Sequence, residues 1–157
     1  MPNDQQSNRI HKFCEGIIAQ DSSIRFAGLA NQMGKLIGSA YRERLQPLMN
    51  RQETEHYTIQ TVLRASTRET FENKIGKHRY AIAVYEKLIR ATIPIPIIMT
   101  GNDDDTDEKE KNQEEQDLKW LYLLVSFDLS SDVISIIEDK ILPQIEQSRK
   151  DSWSLSR

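Results

Sequence analysis

The chain is predicted to be an α/β (α+β) protein: a five-stranded antiparallel sheet in the order 2-1-5-4-3, flanked by helices, with elements in the succession α-β-β-α-β-β-β-α. Three observations predict this. Two pairs of alternating segments are joined by short turns, which makes two hairpins and therefore antiparallel neighbours. One later segment, "LKWLYLLVSF", is apolar on both faces, and such a strand belongs in the centre of a sheet between helical layers. The first and last regular segments repeat their apolar residues at helical spacing.

The first helix is expected over about residues 7–20. Ile10, Phe13, Cys14, Ile17 and Ile18 make one apolar stripe, Ser7 or Asn8 can cap it, and Asp21-Ser22-Ser23 breaks it. In "IRFAGLANQMGKLIG" the alternation from Ile24 to Leu29 and again from Leu36 predicts a hairpin, its turn built on Asn31 and Gly34 with Gly34 at positive φ. "RERLQPLMN" is a connection. A long helix follows at 51–73, opened by a capping box of Asn50 and Glu53 and stopped by Gly76. Its expected inner stripe is Ile59, Val62, Leu63, Ser66 and Thr70, with Tyr57 and Phe71 flanking.

"RYAIAVY" and "LIRATI", joined at Glu86-Lys87, form the second hairpin, and pairing is expected to fade at Pro94 and Pro96, which cannot donate to a ladder. The central strand places Trp120, Tyr122 and Leu124 on one face and Leu121, Leu123, Val125 and Phe127 on the other. The last helix is expected to start at Ser130 or Ser131, to face Val133, Ile136, Ile137 and Ile141 inward, and to kink or end at Pro143. Residues 1–150 thus read as one domain with an acidic loop insertion at 100–117, and 151–157 as a flexible tail.

The chain resembles the roadblock/longin/profilin-like superfamily. The resemblance rests on "IRFAGLANQMGKLIG", "YAIAVYEKLIRATIPI" and "LYLLVSFDLSSDVISIIEDKIL", which are also similar to small uncharacterised proteins of ammonia-oxidising archaea. It covers about residues 8–145 and is carried by packing and turn residues. It implies a profilin-like fold and a scaffold or regulator that works as a dimer, often beside a small GTPase. It supplies no catalytic residues.

The net charge of −3 is unevenly spread. Residues 101–117, "GNDDDTDEKEKNQEEQD", carry nine acidic and two basic residues, so the rest of the chain is mildly basic at +4. Within this segment Asp103, Asp105, Asp107 and Glu114 fall at positions 1, 3, 5 and 12 of a calcium loop. The sixth position needs Gly for its sharp turn and holds Glu108, and the flanks read as strands rather than helices. No metal site is therefore expected, and these four carboxylates are weak cation candidates only. Deletion of Asn102–Gln116 is expected to leave the fold intact, since a shorter loop closes the same strand pair at little entropic cost.

Other chemistries are excluded by spacing. "GLANQMGK" has too many residues between Gly28 and Gly34 for its resemblance to a phosphate loop, no Ser or Thr after Lys35, and a hairpin context. Cys14 lies in an apolar stripe, as a buried inert thiol does. His11, His56 and His78 lack metal-ligand spacing. "SAYRERLQ" and "KHRY" are basic stretches, but a charge of +4 is weak for a phosphate binder, so nucleic acid is not an expected partner. The polar N-terminus lacks the apolar core of a signal peptide, and no run can span a bilayer. A cytoplasmic location without membrane attachment is expected.

The leading expectation is a non-enzymatic protein-interaction or regulatory scaffold module, without cofactor, whose partner is a second copy of itself or another protein. The interaction candidates are Tyr57, Ile59, Val62, Tyr80 and Tyr85. The alternative is a PAS-like small-molecule sensor that holds its ligand between sheet and helices, in room left by Gly28, Gly38, Ala81 and Ala83.

Overall fold

The computed structural model describes residues 4–96 and 120–152. Five strands, β1 (Ile24–Ala30), β2 (Leu36–Tyr41), β3 (Ala81–Val84), β4 (Ile89–Pro96) and β5 (Trp120–Phe127), form one antiparallel sheet in the order β2-β1-β5-β4-β3. The expected order is the observed one. β5 occupies the centre because its two faces feed two separate cores. Leu121, Leu123, Val125 and Phe127 join α1 (Asp4–Ile18) and the C-terminal helix; Tyr122 and Leu124 join α2 (Arg51–Arg68) on the opposite face.

The first hairpin turns as its residues dictate. The Asn31 side chain accepts from the N–H groups of Met33 and Lys35, each at 3.0 Å, and Gly34 sits at φ 80°. An ideal Cβ on Gly34 would lie 2.8 Å from the Ile59 Cα, so the turn needs glycine for its backbone and for its contact with α2. α2 opens with the capping box: Asn50 accepts from Glu53 N at 2.8 Å, and the Glu53 carboxylate accepts from Asn50 N at 3.0 Å.

Four local expectations are corrected. α1 begins at Asp4, one turn before Ser7. α2 turns a different stripe to the sheet: Thr58, Thr61, Val62 and Ala65 are buried, whereas Ile59 and Leu63 are 54% and 65% exposed. The threonines can be buried because each hydroxyl is satisfied inside the helix, Thr58 on Thr54 O at 2.7 Å and Thr61 on Tyr57 O at 2.8 Å. α2 also passes through a 3₁₀ turn, Glu69–Phe71, into the short α3 (Glu72–Ile75) before Gly76 closes it at φ 92°.

The third correction concerns β4, which pairs with β5 through both prolines, Pro94 opposite Tyr122 and Pro96 opposite Trp120. β3 ends opposite Thr92, so β4 has an open side beyond that point, and a missing donor there costs no ladder bond. The fourth lies at Pro143. α4 (Val133–Ile136) runs into a π-helical turn, Ile137–Ile141, and on into α5 (Leu142–Ser152). The Leu142 N–H reaches back five residues to Ile137 O, and this wider turn takes the helix past the proline without a break. Ile136, Ile137, Ile141 and Ile145 stay on one buried face, and the helix outruns the expected polar tail as far as Ser152.

Candidate protein-interaction surfaces

Tyr57 is half-buried on the flank of α2 nearest the β3–β4 turn. Its hydroxyl lies 3.3 Å from that of Tyr85, and the Arg90 guanidinium stands 4.1 Å over its ring. Burial, then the Tyr85 hydrogen bond, raises the Tyr57 pKa, while the Arg90 charge opposes the rise. Ile59 lies on the other flank, against Gly34. Val62 faces the sheet in a core with Phe26, Ala30, Ala65, Tyr122 and Leu124. Tyr80 donates to Glu138 at 2.7 Å, a carboxylate that also takes Arg79 at 2.9 Å. The structure therefore brings Tyr57 and Tyr85 together, leaves Ile59 exposed on the opposite flank of α2, buries Val62, and ties Tyr80 to the C-terminal helix.

Sequence reasoning missed several exposed apolar side chains. Leu63, assigned to the inner stripe, faces solvent; Phe71, Ile75 and Val84 are exposed as well. Val84 closes β3, which is one edge of the sheet; β2 is the other. The expected strand order already puts β3 at the edge, but the alternation in "AIAV" does not show that the side chain of Val84 stays open.

One arginine of each basic stretch, Arg42 and Arg79, is neutralised by an ion pair. Asp128 accepts from Arg42 at 2.7 Å and from Arg25 at 3.1 Å, and these partners, Arg42 foremost, hold its carboxyl below the ordinary range. Arg79 is spent on Glu138. Asp21 takes Lys140 at 2.7 Å together with the Ser23 hydroxyl and N–H, which lowers its pKa to about 2. Tyr122, in the core, donates to Glu69 at 2.7 Å, and burial followed by this bond pushes its pKa up. His78 has a buried Nδ1 with no partner among the described residues; burial, then Arg68, lowers its pKa.

The excluded chemistries find no geometry among the described residues. Cys14 is fully buried, and burial pushes its pKa up to about 12. Lys35 follows a hairpin turn instead of preceding a helix. No group of three or more His, Cys, Asp or Glu could hold a metal ion among the described residues; Asp103, Asp105, Asp107 and Glu114, with the rest of the acidic insertion, lie outside them. No described helix is long and apolar enough to cross a membrane. The room the sensor reading requires is filled at two of its residues. A Cβ on Gly28 would stand 2.6 Å from the Phe26 ring, and one on Gly38 would collide with Ile10 Cγ2.

A five-stranded antiparallel sheet in this order, with α2 on one face and the terminal helices on the other, is the roadblock/LC7 fold. Several solved structures similar to it carry that name or belong to MglB proteins. A gliding protein, MglB, from Thermus thermophilus is 8% identical with a TM-score of 0.63, the match covering 98% of this chain and 91% of that one. An MglB with a tetrameric arrangement is 9% identical with a TM-score of 0.57, covering 99% and 89%. A roadblock/LC7 domain from Streptomyces avermitilis is 9% identical with a TM-score of 0.57, covering 89% and 94%. At these identities the likeness is one of fold. No family model matches the chain, and no curated protein does.

Proposed function

We propose that the protein is a non-enzymatic interaction and regulatory scaffold module that works as a homodimer and docks another protein, with a small GTPase as the first partner to test. The observation that carries this reading is the surface where α2 meets the open edge of β3. There the Tyr57–Tyr85 contact joins helix to strand, and Val84 and Tyr85 stand exposed at the end of the edge strand. An unpaired edge beside exposed apolar side chains is a ready surface for association between sheets. The tetrameric arrangement of a similar MglB supports self-association on this fold.

The test is sedimentation equilibrium of the wild type and of a Val84→Lys/Tyr85→Ser double variant. The wild type is expected at twice the monomer mass and the variant at the monomer mass, with unchanged helix and strand content. A wild type that stays monomeric at every concentration, and captures no partner from native lysate, sinks the proposal.

A further inference from the structure

The opposite edge of the sheet carries a second surface. An open groove of about 1140 Å³ runs between β2 and the N-terminal half of α2, under the segment Pro47–Asn50. Leu36, Ile37, Gly38 and Ser39 all line it, although consecutive strand residues point to opposite faces. Only a groove that follows the edge of the strand can touch all four.

The hydrogen-bonding groups of that edge are open. The Arg42 N–H donates to Arg25 O at 2.8 Å, which fixes the parity of the regular part of the β1–β2 ladder: residues 38, 40 and 42 bond to β1, and Ser39 and Tyr41 turn their N–H and C=O groups outward, up to the irregularity at Ile37. His11 confirms this from outside, since its Nδ1 lies 3.1 Å from Ser39 O. That carbonyl keeps a second lone pair, and the groups of Tyr41 face the open edge.

The walls and charges of the groove select what can lie there. Leu36, Leu48, Met49 and Ile59 make its sides apolar. Of its charged residues, Arg51 is paired with Glu55 at 3.4 Å, and Glu53 is held by the cap of α2. Lys35, at one end, has no carboxylate partner among the described residues. Pro47, Leu48 and Met49 also line a small neighbouring recess with Arg90 and Ser126. Arg90 likewise has no carboxylate partner among the described residues; it stacks on Tyr57 and reaches the Met49 sulfur at 3.9 Å. The unmatched charge at both positions is therefore positive.

We propose that this groove binds an extended acidic peptide of a partner protein, which adds to β2 as a sixth strand. Its backbone pairs with Ser39 and Tyr41; its groove-facing side chains are apolar between Leu36, Leu48 and Ile59, and acidic where they meet Lys35 and Arg90. The site is distinct from the α2–β3 surface, so it stands or falls separately from self-association.

The experiment selects displayed random dodecapeptides against the full chain, then titrates the best of them against variants. The expected winners alternate apolar residues and carry net negative charge, and they slow amide exchange at Ser39 and Tyr41. Ser39→Pro removes an outward N–H without touching the β1 ladder and is expected to abolish binding. Lys35→Glu, on the surface, is expected to weaken it roughly tenfold, and Val84→Lys/Tyr85→Ser to leave it unchanged. Should Ser39→Pro fail to fold, Lys35→Glu and the exchange data decide alone. The proposal is overturned if no peptide is enriched, if the winners are basic, or if binding survives Lys35→Glu at full strength. It is overturned equally if Ser39→Pro halves the solution mass, which would assign the edge to a second copy. Binding that emerges only after deletion of Asn102–Gln116 would assign the groove to the chain's own acidic segment and also overturn it.

Discussion

Arg42 Nη1 donates to Asp128 Oδ2 at 2.7 Å and so ties the residue just past edge strand β2 to the residue just past central strand β5. Arg25, at the start of β1, donates to the other oxygen of the same carboxylate. One side chain thereby fastens three neighbouring strands at one end of the sheet. The Asp128 pKa is depressed in the folded state, so its contribution is present above the unfolded carboxylate pKa of about 3.9 and is lost as pH falls through the folded value. Asp128→Asn is expected to lower stability by about 1 kcal/mol at neutral pH, a figure discounted for the partial exposure of the pair. Urea unfolding at several pH values checks this: the gap between wild type and variant must close in strong acid, and a gap independent of pH would refute the assignment.

The face that α2 turns to the sheet is tested by neighbouring substitutions. Val62→Ala removes buried apolar volume and is expected to cost about 2 kcal/mol. Leu63→Ala, one residue on and exposed, is expected to stay within about 0.5 kcal/mol. Equal costs in denaturant unfolding would restore the stripe that hydrophobicity alone suggests.

That stripe shows where the sequence was legible and where it was not. β5 could be placed in the centre because its apolar residues fill both faces, a pattern with no other stable use. The Asn50–Glu53 cap and the Asn31–Gly34 turn were legible because each is a local arrangement of a few residues. α2 was misjudged because Ile59 and Leu63 are the more apolar choice, yet Thr58, Thr61 and Ala65 are smaller and the threonines satisfy their own hydroxyls, which suits close approach to the sheet. The prolines of β4 and Pro143 were read as stops, since neither the early end of β3 nor the π-helical turn can be seen locally. Of the candidate surfaces, the aromatics Tyr57 and Tyr85 stood out by type alone. The β2 groove did not, because it depends on the path of residues 42–50 and on which ladder groups face outward.

At Gly38 the helix α1 packs directly against the sheet. A Cβ there would collide with Ile10 Cγ2, so Gly38→Ala is expected to destabilise the fold by about 1–3 kcal/mol. Ile10→Ala should cost stability by itself but recover part of that loss when combined with Gly38→Ala, because the colliding methyl is gone. A double-mutant cycle measured by urea unfolding reads the coupling. Strictly additive costs would mean that α1 and β2 do not meet at this point.

Cys14 reports on the same interface from inside. Its thiol is fully buried between α1 and the sheet, and burial pushes its pKa up to about 12, so at pH 8 the folded protein holds almost no thiolate. In the unfolded chain the pKa returns to about 8.5, and the thiolate becomes abundant and accessible. Labelling by a disulfide reagent at pH 8 is therefore expected to be slow in native buffer and to accelerate with urea in step with the loss of tertiary signal, since reaction has to wait for α1 to leave the sheet. Rapid labelling of a protein whose near-ultraviolet dichroism stays native would show that α1 detaches without global unfolding, and would place the weakest packing of the fold at Ile10, Cys14 and Gly38.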